Sequence, residues 1–204
     1  MSDPCIELRH ATDLDSVRKT ITSVYAEVWA ERLADPHHSV ERYEERLARY
    51  AAQPGWEAVI GHDSGEPVGC AYVSTLDPGH PWWQHMSTPL PEGCGESPTV
   101  ALRDIMVRVP WRGRGVARLI HDGILANRRE DQVTLLVNAQ NGNGKVKALY
   151  EEWGHRTIGE QQPFADGPVL TAMLRATRTP AAGAANAATA ADTDATAEQA
   201  AAAK

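Results

Sequence analysis

Apolar and polar positions alternate over Ile6, Glu7, Leu8 and Arg9, the period-2 pattern of a short half-buried strand. Thr12 or Asp13 then supplies an N-cap. Val17, Ile21, Val24, Tyr25, Val28 and Leu33 recur at helical spacing, so a helix runs on until Pro36 ends it. A second helix, residues 39–52, carries Val40, Tyr43, Leu47 and Tyr50 on one stripe, with Glu and Arg at helical spacing as a solvated face. Pro54 and Gly55 break it. Residues 56–61 and 67–76 read as two strands joined by a hairpin over residues 62–66. Residues 77–98 are rich in Pro and Gly around Trp82 and Trp83, a length of loop that often serves as a lid or binding loop. Then come a strand at 100–109, a helix at 115–128, a strand at 133–137, a helix at 143–153 and closing strands at 155–160 and 169–174. The order β α α β β β α β α β β specifies an α/β or α+β domain built on a mixed sheet.

The chain has 204 residues, 42% of them hydrophobic, enough for one domain with a sizeable core. That domain is expected over residues 1–178. Residues 179–204 are mostly Ala, Thr and small polar residues with no large apolar side chain to bury, a low-complexity tail expected to be disordered. A net charge of -7 leaves no basic footprint for nucleic acid and suits a cationic acceptor better, although acidity also serves solubility alone. The three cysteines form no disulfide framework. Cys5 and Cys70, in apolar strand-like contexts, are expected to be buried, and Cys94, in a loop, to be exposed. There is no apolar signal segment and no run able to span a membrane, which reads as a cytoplasmic protein without a membrane partner, monomeric or homodimeric.

The run from Val107 to Leu125 carries the chemistry. A strand end passes through Pro110 and Trp111 into Arg112, Gly113, Arg114, Gly115, Val116 and Ala117, and then into an amphipathic helix. Backbone N–H groups in such a turn, reinforced by the helix dipole, form a cradle for phosphate, and the two arginines add charge beside it. A Walker loop is excluded, because the only Gly-Lys pair, Gly144 and Lys145, is followed by Val146 and lacks the earlier Gly. A dinucleotide fingerprint lacks its third Gly, since Arg118 stands there, and it belongs to an early βαβ unit.

Arg112-x-x-Gly115-x-Ala117 after Val107-x-Val109 resembles the signature of the GNAT acetyltransferase superfamily. The stretch from Asn143 through Tyr150 to Trp153, Gly154 and His155 is similar to that family's second motif. The element order matches from about residue 5 to about residue 176. The resemblance implies a central mixed, mostly antiparallel sheet flanked by helices, with a V-shaped splay between the two strands that bind acetyl-CoA. It also implies acetyl-CoA as cosubstrate. Arg112 to Ala117 would hold its pyrophosphate, the main chain at Val107 and Val109 its pantetheine arm, and Asn143 would orient that arm. Asn138 or Asn141 are alternatives for Asn143, because the loop before the helix is long and rich in Gly and Asn. Tyr150 would be the general acid that protonates the departing thiolate. By spacing alone Tyr150 reads first as a core tyrosine, on one stripe with Val146, Leu149 and Trp153, and it is the resemblance that turns it into an acid. Where an aromatic Phe is common after Gly, this chain has His155.

An attacking amine must lose a proton, and the candidate bases are Asp104, Glu96, His80 and His85. Asp104, three residues before Val107, is the leading one; a salt bridge to Arg103 or Arg108, or a solvated strand end, is its alternative. The adjacent His37 and His38 cannot easily share one face, and no carboxylate or Cys completes a site with them, so no metal is expected. Trp82 and Trp83 either cap an acceptor pocket or pin their loop to the domain. The expected activity is acetyl transfer to a primary amine on a small molecule or a protein, in a ternary complex. Against it stand a catalytically silent CoA-binding sensor or scaffold and a nucleotide- or phosphate-binding protein.

Overall fold

The computed structural model describes residues 5–163 and 167–178; the expected tail at 179–204 lies outside them. Asp13 caps helix α1 (Leu14–Val28) by accepting from the N–H groups of Asp15 and Ser16, and Ser39 caps α2 (Val40–Ala51) through the N–H of Arg42. Helix α1 ends a turn earlier than its apolar spacing suggested. Two 3-10 turns, Ala30–Arg32 and Pro36–His38, carry the chain to α2.

Strands β1 (Ile6–Ala11), β2 (Glu57–Asp63) and β3 (Glu66–Leu76) form an antiparallel meander. The β2–β3 hairpin turns through Ser64 and Gly65, both at positive φ, the conformation that matches strand twist in a two-residue turn. Strand β4 (Thr99–Val107) pairs antiparallel with β3. The chain then passes through a 3-10 turn, Val109–Trp111, into helix α4 (Val116–Leu125), strand β5 (Gln132–Val137) and helix α5 (Lys145–Glu152). Strands β6 (Arg156–Gln161) and β7 (Leu170–Ala176) complete a seven-stranded sheet of order β1-β2-β3-β4-β5-β7-β6. Among the described residues only the β4–β5 pair is parallel. The sheet is therefore mixed and mostly antiparallel, flanked by helices.

Period-2 alternation divides the core between the two faces. Ala58, Ile60, Cys70, Tyr72 and Met106 pack under α1 and α2, where the Tyr25 and Tyr43 rings stack at 3.6 Å. Val59, Ala71, Val73, Leu102 and Leu135 pack under α4 and α5. A short helix, α3 (Pro81–Gln84), interrupts the long loop. Its Trp82 and Trp83 are 8% and 5% exposed and join Leu76, Ile158 and Leu174 in a third cluster, so these side chains pin the loop down.

Three expectations need correction. Cys5 is exposed and Cys94 buried, the reverse of the reading from local context. Cys5 immediately precedes an edge strand, whereas Cys94 is covered by the Trp82–Trp83 cluster. Leu119, an apolar residue of the helix read as amphipathic, is 43% exposed and lies off the buried stripe of Val116, Ile120 and Ile124. Val109 lies beyond the end of β4, opens the 3-10 turn and is 60% exposed. Pro110 has no N–H for a sheet ladder, so the chain leaves the sheet before it.

Candidate active site

The sheet splits where β4 and β5 part. Their parallel pairing covers only Thr99–Leu102 against Gln132–Leu135. Past Leu102, β4 continues to Val107 and β5 to Val137 without a shared ladder. The cause is legible on the other edge of β4. Its register with β3 steps from Leu102 opposite Val73 to Asp104 opposite Tyr72, leaving Arg103 as one extra residue. A bulge of this kind bends its strand and ends regular pairing. A cleft of about 500 Å3 fills the gap, with Leu135, Val137, Val146 and Trp153 among its apolar walls.

Seven of the site candidates named from the sequence line this cleft: Asp104, Val107, Arg112, Ala117, Asn138, Asn141 and Tyr150. Gly113, Arg114 and Gly115 are exposed in the turn that leads into α4. Gly115 is the N-cap of α4 at φ +76°, a left-handed conformation open to glycine at little cost, and no side chain among the described residues caps this helix. The first N–H groups of α4 therefore lack a side-chain acceptor there, which leaves them available for an anion. Val116 turns inward to the core. Two contacts fix the turn. Trp111 Nε1 donates to Asp63 Oδ2 at 3.0 Å, and Arg112 Nε donates to the Val107 carbonyl at 2.9 Å.

Asn143 is exposed, sits at φ +54° and is not among the cleft-lining residues; Asn138 and Asn141 line the cleft instead. Six residues of turn, 139–144, precede α5, and Asn143 is exposed within them. Of the three asparagines the cleft therefore holds the two stated alternatives and not Asn143.

Asp104 lines this cleft and two neighbouring cavities, so it stands where the three meet. Burial pushes its carboxyl up to about 6, against the Arg46 guanidinium, the Ile105 N–H and the Tyr72 hydroxyl, which pull it back down. The other candidate bases are less well placed. His80 Nδ1 is engaged by the Trp82 N–H at 3.0 Å, Glu96 is exposed outside these cavities, and His85 lines only the smallest of the three. Tyr150 is 7% exposed on α5, and burial together with the Asp104 charge raises its hydroxyl above the usual range, so it stays protonated.

Behind Tyr150 lies a buried polar chain. His155 N–H donates to the Tyr150 carbonyl at 2.9 Å, and the two rings meet edge-on at 5.5 Å. His121 Nδ1 faces Asp122 Oδ1 at 2.9 Å, and His121 Nε2 faces His155 Nε2 at 3.2 Å. A carboxylate only accepts, so Nδ1 of His121 is the donor. Its Nε2 then accepts from His155, and Nδ1 of His155 is left as a buried acceptor without a partner among the described residues. Burial lowers both imidazoles, His121 to about 4 and His155 to about 3, so the pair is neutral at pH 7.

Arg46 and Arg103, not singled out in the sequence, also border these cavities. The adjacent charges at Arg103 and Asp104, in a strand otherwise apolar from Val100 to Val107, were the available signal. Two successive charges break the alternation that an ordinary half-buried strand would keep. Among the described residues no group of three or more His, Cys, Asp or Glu is placed to hold a metal ion, and no helix is long and apolar enough to cross a membrane.

Comparison with known proteins agrees with this geometry. Residues 21–155 match the model of the acetyltransferase (GNAT) family. An acetyltransferase from Thermus thermophilus is similar in structure, with a TM-score of 0.58 at 20% identity over 86% of this chain and 99% of that one. Aminoglycoside 6'-acetyltransferase type Ii aligns with a TM-score of 0.56 at 15% identity, over 86% and 99% of the two chains. The spermidine/spermine N-acetyltransferase of Vibrio cholerae aligns with a TM-score of 0.52 at 16% identity, over 84% and 95%. These likenesses concern the fold. No curated protein matches the sequence. With the family model spanning both halves of the split sheet, the uncapped α4 turn and Tyr150, this chain belongs to the GNAT acetyltransferase family.

Proposed function

We propose that this protein transfers an acetyl group from acetyl-CoA to a primary amine by direct attack, without an acyl-enzyme. One observation carries the reading: a buried carboxylate near neutral pKa and a protonated tyrosine line one cleft, at the parting of two parallel strands and beside an uncapped helix start. The chain fits the cosubstrate. Residues Arg112 to Ala117 offer backbone N–H groups and arginine charge to the pyrophosphate. The β4 edge up to Val107, unpaired with β5 beyond Leu102, offers main-chain groups to the pantetheine arm. Asn138 and Asn141 line the same cleft and take the orienting role. Acetyl-CoA supplies an already activated thioester.

The remaining work falls to two side chains. Asp104 is ionised at neutral pH yet basic enough to take a proton from an acceptor ammonium. Tyr150 holds its phenolic proton against the negative charge that develops on the leaving sulfur, and delivers it there. The C–N bond forms, the C–S bond breaks, and free thiol and acetamide result. The test is thiol release from acetyl-CoA across a panel of amines, with the wild-type protein and Tyr150→Phe in parallel. Amine-dependent release, reduced in the variant, supports the reading. CoA binding with no release for any amine would instead make the chain a binding module.

A further inference from the structure

Beyond Asp104 the cleft continues into a small cavity of about 260 Å3 whose chemistry differs from the apolar gap beside it. Two guanidinium groups reach it, Arg46 from α2 and Arg103 from the β4 bulge, with Tyr50, Tyr72 and His85 around them. Among the described residues Asp104 is the single carboxylate that lines it. Arg103 is held firmly but not neutralised. Its Nε donates to Ser74 Oγ at 2.9 Å, its Nη2 donates to Gln53 Oε1, and the group lies 4.6 Å over the Tyr50 ring. Each of these partners is uncharged, and burial pulls the Arg103 pKa down. Arg46 likewise spends one N–H on a neutral acceptor, the His37 carbonyl, at 3.1 Å. Arg103, withdrawn from water with neutral partners only, carries an unbalanced charge that an arriving anion would offset, whereas Arg46, half-buried, already faces Asp104 and adds a second cation beside it.

We propose that the acceptor is a small amino-carboxylate, an amino-acid-sized molecule whose carboxylate is held by Arg46 and Arg103 while its amine meets Asp104. The inference rests on the acetyl-transfer reading above and adds the substrate class. Planar guanidinium groups match a carboxylate, in one or two forked contacts. A polyamine would instead set a second ammonium against them. The cavity is at the small end of ligand sites, which run from about 300 Å3 upward, and this suits a single amino acid better than a longer acceptor. The net charge of -7 is no obstacle, because at physiological salt fields fade over about 8 Å and the two arginines dominate locally. In the reaction the ammonium loses one proton to Asp104, the free amine nitrogen gains the acetyl carbon, and the second proton it sheds as the amide forms restores Tyr150 by way of solvent. The thiolate leaves with the Tyr150 proton, and the carboxylate is unchanged.

The experiment compares free amino acids, their C-terminal amides and spermidine as acceptors, by thiol release and by calorimetric titration onto CoA-saturated protein. It does so for wild type, Arg46→Gln and Arg103→Gln. The expected result is at least one amino acid preferred over its own amide by roughly 10-fold or more in kcat/KM, the scale of a charge-assisted contact. In Arg46→Gln that ratio collapses towards one while the KM for acetyl-CoA holds. Arg46 is the milder variant, since it lies on a partly exposed helix face, and it keeps the test valid if Arg103→Gln folds poorly. Spermidine or the amides preferred over every amino acid, or calorimetry without any carboxylate-dependent binding, would overturn the substrate class while leaving acetyl transfer intact. Failure of CoA itself to bind is a different result, and it would remove the parent reading and this one together.

Discussion

Replacing Asp104 by Asn should make the protein more stable and less active at once. The Asp104 carboxyl sits at about 6 rather than its ordinary 3.8, because burial disfavours its charge more than Arg46, Ile105 and Tyr72 favour it. A group whose folded pKa is raised contributes stability that is fully present below its unfolded pKa and is lost as pH rises through the folded value. For Asp104 that window runs from about 3.8 to about 6, so at pH 8 the native state carries the whole penalty. The gap corresponds to roughly 2–3 kcal/mol. At about 2–4 °C per kcal/mol for a domain of this size, Asp104→Asn should melt roughly 5–10 °C above wild type at pH 8, and the two should converge near pH 4. The same substitution removes the base, so kcat/KM should fall about 10²–10⁴-fold. The wild-type profile should rise through an apparent pKa near 6, and the variant should lose that limb. Melting curves at pH 4, 6 and 8, with acetyl transfer over the same range, decide the matter. A variant no more stable than wild type at pH 8 would show that the carboxylate is not destabilised by burial. A variant that keeps the pH 6 limb would place the base elsewhere.

Tyr150→Phe keeps the ring that packs on Trp153 and His155, so the fold and the KM for acetyl-CoA should hold while kcat falls roughly 10²-fold or more; an unchanged kcat removes the hydroxyl from the chemistry. Gly115→Ala meets no atom within 4 Å but forces a side chain into φ +76°, which should cost about 1–2 kcal/mol, read by thermal melting, and weaken CoA binding. Burial lowers His121 and His155, so their contribution is present above an ordinary 6.5 and is lost as pH falls towards about 4 and about 3. His155→Phe should therefore flatten the acid limb of stability measured by denaturant midpoints between pH 7 and pH 4.5, and an identical slope would contradict the neutral-pair assignment.

Where local rules decide, the chain was readable. The caps at Asp13 and Ser39, the hairpin at Ser64 and Gly65 and the glycine turn before α4 are each set by side-chain hydrogen bonds or backbone freedom within a few residues. Asp104 and Tyr150 were legible through motif position, and the structure adds that they share a cleft. What escaped depends on contacts distant in sequence. Cys94 is buried by tryptophans about ten residues earlier and by strands well beyond them. Arg46 is one cation among many on an amphipathic helix until the fold sets it beside Asp104. The adjacent charges of Arg103 and Asp104 mark an irregular strand, but that a bulge brings both to one cavity shows only in the β3–β4 register. The net charge averages over the whole chain and does not show that arginines gather around these cavities. Val109 could have been placed correctly, since Pro110 already forbids a continuing ladder.

Everything proposed for the chemistry depends on acetyl-CoA entering the gap between β4 and β5 and anchoring on the start of α4. Hydrogen exchange of the whole chain, with and without acetyl-CoA, reads out that entry. Slowed exchange is expected to be confined to residues 103–107 on the open edge of β4, to 113–118 at the turn and first α4 amides, and to 138–142 before α5. Protection elsewhere, with these three segments unchanged, would refute entry between the strands.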